Sequence, residues 1–411
     1  MHFLFVFNYA ILKMVSKMRK SKDIISLNSI EFILIVVIGI ILGIGFTLLF
    51  FKKTSVVYQR VDDGVKTIID TYNYISDNYY TDINKDDLIN GAVKGMLAAT
   101  DDPYTTFMET GAYNNFNITL EGEYKGLGVE ITKYGEELII VGLIADSPAK
   151  KAGLELGDVI LSVNGESTEK MSSTDLSRYI QENKNDDFEL IIRRDNKEMK
   201  FSLKKEHITL KSVESKVIKE KDKKIGYIYV SVFASNTYEQ FKEALNSLKE
   251  QEIDSLIIDL RDNSGGELST VTNMISLFLD DTKVIYQIED KTGDVEKKYS
   301  NGKENFDKPI VVLVNENTAS ASEVMTAALK DNLGATVVGE KTYGKGTVQV
   351  VLNISTGEQY KLTTKKWLTP NGDWINEKGI EPDIEVSIAG KTEDDQLTKA
   401  VKHIVESKKE S

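Results

Sequence analysis

The pattern of apolar and polar positions changes character several times along the chain. Phe32 to Phe51 is an uncharged run of 20 residues, FILIVVIGIILGIGFTLLFF, the length at which a helix crosses a hydrocarbon core. From Ser55 to about Met108 apolar residues recur at helical spacing, first Val65, Ile68, Ile69, Tyr72 and Ile75, then Leu88, Ile89, Ala92, Val93, Met96 and Leu97. This predicts a helical region whose apolar faces serve as core or as subunit contacts. Residues 226–230 and 255–260 are short apolar runs of the kind that form buried strands, and between them Phe241, Leu245 and Leu248 mark an amphipathic helix. Residues 310–314 form a further apolar run, which passes through small residues into a helical pattern carrying Val324, Met325 and Leu329. A short strand at residues 335–339 follows. The alternation predicts a mixed α and β fold, and 411 residues at 41% hydrophobic content allow more than one domain. At the end of the chain Leu397, Ala400, Val401 and Ile404 predict an amphipathic helix over 391–411 that packs on the core or on a second subunit.

Charge gives the apolar run a direction. Lys13, Lys17, Arg19, Lys20 and Lys22 precede it and only Lys52 and Lys53 follow closely, so the positive-inside rule keeps residues 1–31 in the cytoplasm and puts everything after 51 outside. The run is then an uncleaved signal anchor in the cell membrane. A cleaved signal peptide is the alternative, but Leu48, Leu49, Phe50, Phe51 and two lysines stand where a small-x-small site is needed. The apolar patch Phe3 to Phe7 is too short to span, and Met14 and Met18 are alternative starts. The net charge of −13, with no basic cluster interleaved with aromatics, argues against nucleic acid as a partner. The absence of cysteine suits an extracytoplasmic protein and removes thiol catalysis.

Candidate chemistry sits between Val314 and Gln349. Ser320 falls where the apolar strand turns into the helix, and the amides that open a helix carry partial positive charge suited to an oxyanion. The plain alternative is a structural cap, since Ser320 and Glu323 match the S-x-x-E capping box. Lys345 lies between Gly344 and Gly346, whose backbones can pass close to a substrate; its plain alternative is a solvated loop lysine. Serine needs a neighbouring base. Of the histidines, His2 precedes the membrane segment, His207 lies in a charged connector and His403 is near the C-terminus, so none builds a triad. Lysine serves instead if burial lowers its pKa from about 10.4 towards neutrality. There is no H-E-x-x-H and no histidine cluster, so zinc hydrolysis has no support.

The string T-A-S-A-S-E at residues 318–323, followed by G-K-G at 344–346 and glutamine at 349, resembles the C-terminal processing peptidases, also called tail-specific proteases. The resemblance implies that Ser320 is the nucleophile, Lys345 the general base and Gln349 the residue that orients the lysine, on a crotonase-like ββα protease core with flanking helices over 212–390. Thr318 stands where the family has serine. The loop Leu260-Arg261-Asp262-Asn263-Ser264-Gly265-Gly266 is similar to the family's L-R-x-N-x-G-G, which implies that a glycine amide joins that of Ala321 in the oxyanion hole; Gly265 and Gly266 both remain open.

Residues 120–205 resemble a PDZ domain. Gly126-Leu127-Gly128-Val129 looks like the loop that holds a peptide carboxylate with backbone amides, and Ser147 to Gly153 and Gly157 to Gly165 follow in the order of bacterial PDZ domains. Asp102-Pro103-Tyr104-Thr105-Thr106-Phe107-Met108, at the end of the helical region 55–115, matches a short motif that precedes the second domain in the same family. Residues 362–383 match its end segment. Implied throughout are protein substrates with unstructured C-terminal tails, no metal, no cofactor, and a homodimer or higher homo-oligomer as an open question. Two rivals are a silent PDZ adaptor, against which Ser320, Lys345 and Gln349 count, and a trypsin-like protease, which lacks its histidine, aspartate and G-x-S-G.

Overall fold

The computed structural model describes residues 62–303, 306–387 and 394–406. The expected signal anchor at 32–51 and the segment before it lie outside the described residues. Among the described residues no helix is long and apolar enough to cross a membrane. The chain divides into two compact units, the first ending at Asn84 and the second beginning at Lys85. Within the first, the helix Asp63–Asn78 is capped by the Asp62 carboxylate, which accepts from the Gly64 N–H.

The second unit opens with the helix Lys85–Ala98. The helical reading of the region up to Met108 is corrected here. The Asp102 carboxylate accepts from the Tyr104 N–H and the Thr105 hydroxyl, Pro103 brings no N–H of its own, and the chain turns. Thr106–Met108 is then a strand, paired antiparallel with residues 359–361, and the helix Thr110–Glu121 follows.

An antiparallel sheet holds the strands Val129–Tyr134, Glu137–Leu143, Val159–Val163, Asp187–Arg194 and Lys197–Lys204 in that order. Phe188, Leu190 and Ile192 alternate inward on one strand and join Leu127, Ile140 and Leu176 in a core of their own. The helix Ser173–Glu182 carries a full capping box between Ser172 and Asp175. Glu123–Gly126 enters this domain and Glu206–Thr209 leaves it as a two-stranded ribbon.

The remaining core is a six-stranded sheet in the order Val213–Glu220, Lys223–Val230, Ser255–Asp259, Ile310–Val314, Thr336–Gly339, Ile384–Glu385, antiparallel at the first pair and parallel thereafter. Every residue of Ser255–Asp259 and Ile310–Val314 is buried, as expected of central parallel strands covered on both faces. Phe241, Leu245 and Leu248 of the helix Thr237–Glu250 cover one face with Val271, Met274, Val324 and Met325. Ala400 and Ile404 of the helix Asp395–Glu406 cover the other, against Ile257, Val311 and Val338. A second sheet is built on the long strand Gln359–Leu368, which pairs with Thr347–Asn353 on one side and with Thr106–Met108 and Val284–Glu289 on the other.

Candidate active site

Ser320 occupies the junction between the buried strand Ile310–Val314 and the helix Ala321–Leu333. Its backbone has φ 57° and ψ −118°, a left-handed conformation that costs a residue with a side chain about 1–3 kcal/mol and persists only where the surroundings enforce it. The enforcement is visible on every side. Thr318, fully buried, donates its hydroxyl to the Leu260 carbonyl and accepts from the Asn315 N–H, so the departure from serine at this position keeps the hydroxyl. Ala319 N–H and Ser322 hydroxyl both donate to the Asn263 carbonyl. Gly265, at φ 111°, runs so close that a Cβ on it would stand 3.0 Å from the Ser320 Cβ.

The loop that faces the serine turn is therefore tied to it directly. The buried Asn263 side chain donates to the Val230 carbonyl and accepts from the Gly265 N–H. Among the described residues, neither the Gly266 N–H nor the Ala321 N–H has an acceptor. Gly266 itself tolerates no side chain, because a Cβ would meet the Phe233 carbonyl at 2.3 Å.

Glu323 is the hinge of the site. It is completely buried, and its carboxylate accepts from the Ser320 N–H at 2.8 Å, the Thr342 hydroxyl at 2.6 Å, the Gly344 N–H at 2.7 Å and the Lys345 N–H at 2.9 Å. Each oxygen takes two donors, the full capacity of an ionised carboxylate. Burial pushes the Glu323 pKa up, and these hydrogen bonds work against that rise. The S-x-x-E pair thus caps the helix and also fastens the serine turn to the lysine loop.

Lys345 is held by its backbone and its side chain. Trp367 Nε1 donates to its carbonyl at 2.7 Å, and its Nζ lies 4.8 Å from the centroid of the Tyr104 ring. Burial holds its pKa below the usual lysine range, the Lys361 ammonium pushes the same way, and Asp102 and Glu323 oppose. The flanking glycines are explained differently from the reading that a substrate approaches them. A Cβ on Gly344 would meet the Gly379 nitrogen at 2.8 Å and one on Gly346 the Asn376 nitrogen at 2.7 Å, so the close approach is to the chain's own segment 376–379.

Ser320, Lys345, Gln349, Ala321, Gly265 and Gly266 all line one cleft of about 690 Å³, together with Tyr104, Phe116, Lys361 and Trp367. Among the described residues no histidine lines it: His207 stands on the strand Glu206–Thr209 and His403 lies 3.3 Å from the Thr336 hydroxyl. Gln349 donates its amide to the Thr347 and Thr363 hydroxyls, and among the described residues it makes no hydrogen bond to Lys345. Among the described residues the Ser320 and Lys345 side chains make no hydrogen bond to each other. Tyr104, Lys361 and Glu323 as a fastener were missed in the sequence. The signals were the Asp-Pro-Tyr-Thr segment and the S-x-x-E spacing, both visible but without a partner.

Gly126, Leu127, Gly128 and Val129 lie apart from this lining, at the start of the edge strand Val129–Tyr134. The carbonyls of Leu127 and Gly128 accept from the Ala149 and Ile144 N–H groups, whereas the N–H groups of Leu127 and Gly128 have no acceptor among the described residues. Gly128 has φ 78° and no room for a Cβ, which would stand 2.2 Å from that of Ser147.

Comparison with known proteins places these motifs in a family. Residues 224–386 match the model of peptidase family S41, residues 139–194 that of the PDZ domain, and residues 51–112 that of the activating protease CtpB N-terminal domain. The chain is 34% identical over 366 residues to the carboxy-terminal processing protease CtpA of Bacillus subtilis, covering 88% of this chain and 78% of that protein. It is 36% identical over 330 residues to CtpB of the same organism, covering 79% and 68%, and 34% identical over 361 residues to a probable CtpA-like serine protease of Staphylococcus epidermidis, covering 86% and 73%. The chain belongs to the carboxy-terminal processing proteases of peptidase family S41, serine-type endopeptidases that here carry a PDZ domain.

Proposed function

We propose that this protease is anchored in the cell membrane by residues 32–51, works outside the cytoplasm, and cuts proteins at or near their C-terminal tails by an acyl-enzyme route. Ser320 is the nucleophile and Lys345 its base. The observation that carries the catalytic part is Glu323, one buried carboxylate joining the strained serine turn and the lysine loop across a cleft. Lys345 Nζ, whose pKa burial lowers, takes the Ser320 hydroxyl proton in its neutral form as Oγ attacks the scissile carbonyl carbon. The two side chains close on each other when a peptide is seated, since catalytic hydrogen bonds are often long before substrate binds. The developing oxyanion is met by the Ala321 and Gly266 N–H groups, which have no acceptor among the described residues, while the Gly265 N–H is already bonded to Asn263. The lysine ammonium then returns its proton to the leaving amine, and water activated by the neutral lysine releases the acyl group from Ser320.

The PDZ domain reads free ends. Support comes from the uncommitted Leu127 and Gly128 amides beside an edge strand that can accept an extended peptide. A peptide substrate is expected to be cleaved with a higher kcat/KM than its C-terminally amidated copy, with the difference mainly in KM because the domain raises the local concentration of a bound tail. Deleting residues 120–205 should remove the difference. A rise in cleavage on deletion would instead make the domain a lid, and equal cleavage of acid and amide would end its role as an end reader.

The orientation rests on the five basic residues before the apolar run against two after it. Protease added to intact cells stripped of wall and any outer membrane should digest the catalytic domain. Digestion only after lysis would reverse the topology.

A further inference from the structure

The Asp102-Pro103-Tyr104-Thr105 turn has no role in the account so far, although it is built with care. Asp102 fastens Tyr104 and Thr105 from within the turn, the Thr105 hydroxyl accepts from the Thr363 N–H, and the strand Thr106–Met108 locks the segment to the long strand that backs the cleft. The turn delivers the Tyr104 ring to a point 4.8 Å from Lys345 Nζ, inside the lining that holds Ser320. We propose that this turn is one wall of the lysine site and that Tyr104 is the positioning residue for Lys345, its ring seating the amine and keeping water from it. The proposal rests on the reading of Lys345 as the general base.

Four observations favour this assignment. The amide nitrogen of Gln349 is directed at Thr347 and Thr363 and not at the lysine, whereas the Tyr104 ring lies over the amine. The phenol cannot itself be the base: burial, with Tyr343, Glu323 and Asp102 nearby, pushes its ionisation far above the ordinary tyrosine range. The charged groups acting on the amine are Lys361, which favours its neutral form, and Asp102 and Glu323, which favour the ammonium; Tyr104 lies over it, and Tyr343 lines the same cleft beside Tyr104. Burial is the leading cause of the downward shift, and a ring laid over the amine is part of that burial. The attraction of the ring for an ammonium works the other way, but the net direction is downward with burial as its leading cause.

The test uses the full chain and follows Ser320 labelling by a fluorophosphonate, and kcat/KM for peptide cleavage, as functions of pH. Tyr104→Ala admits water to the amine, and its acid limb should move up by about one pH unit, so that labelling on that limb is about tenfold slower than in the unaltered protein. Tyr104→Phe should keep the limb in place and the rate within about a factor of two, because the ring and not the hydroxyl acts. If Tyr104→Ala does not fold, Tyr104→Gln, which puts a smaller, polar side chain in place of the ring, should show the same upward movement. A limb that stays put in Tyr104→Ala and Tyr104→Gln, or Tyr104→Phe behaving like Tyr104→Ala, overturns the proposal. Lys345→Met separates the two levels of the claim. If it leaves the acid limb of the unaltered protein intact, the base assignment itself fails; if it is inactive while Tyr104→Ala does not move the limb, only the role of Tyr104 fails.

Discussion

Replacing Ser320 by alanine, or Lys345 by alanine, is expected to lower kcat/KM for peptide cleavage by about four orders of magnitude or more, and the double variant to be no worse than either single one. A nucleophile and its base act as one unit, so losing either stops acylation, and the residue of activity comes from the oxyanion donors and binding. Neither change should disturb folding. Ser320 sits at φ 57° whichever small side chain it carries, and the Lys345 loop is held through its backbone by Glu323 and Trp367. Additive losses in the double variant, measured by steady-state kinetics, would show that the two residues act independently. Gln349→Ala should be milder than Lys345→Ala, since its amide is bonded to Thr347 and Thr363 and not to the lysine. Activity of the unaltered protein should fall as pH drops. Lys345 accepts a proton only when neutral, and protonation through its lowered pKa removes that form.

The second large effect is expected at Glu323. Glu323→Gln keeps the volume but replaces one acceptor oxygen by an NH₂ group, which then faces two of the four donors that now converge on the carboxylate. Leaving a buried donor unsatisfied costs about 1–3 kcal/mol. The variant should therefore lose a few kcal/mol of stability and, at temperatures where it remains folded, about 100-fold in kcat, the scale of a misplacement of about 1 Å in reacting groups. Loss of stability with kcat unchanged, read from denaturant unfolding and kinetics on the same preparation, would mean that the carboxylate serves the fold alone.

The sequence carried the local parts of the site and missed those that the topology assembles. Ser320, Lys345 and Gln349 fall in one stretch of 30 residues, and the strand-to-helix junction at Ser320 follows from the apolar run of residues 310–314 and the helical period after it. Glu323 was legible as a cap because its partner, Ser320, is three positions away. Its other donors, Thr342, Gly344 and Lys345, stand 19 to 22 residues on, beyond the reach of any capping pattern. Tyr104 was harder still. It meets Lys345 only because residues 106–108 pair with 359–361, a register that no periodicity in either segment announces. The helical spacing before it hid the turn at Asp102, where side-chain hydrogen bonds override the pattern. Gly344 and Gly346 were recognised as close-approach positions, but the sequence could not say that the approaching chain is the protein's own.

The most direct measurement is mass spectrometry of the full chain after treatment with a fluorophosphonate, with peptide mapping of the labelled residue. The account predicts a single covalent adduct on Ser320, formed by the unaltered protein and by Gln349→Ala, and formed at most very slowly by Lys345→Ala at neutral pH. An adduct on another serine, or labelling of Ser320 at an unchanged rate in Lys345→Ala, would contradict it.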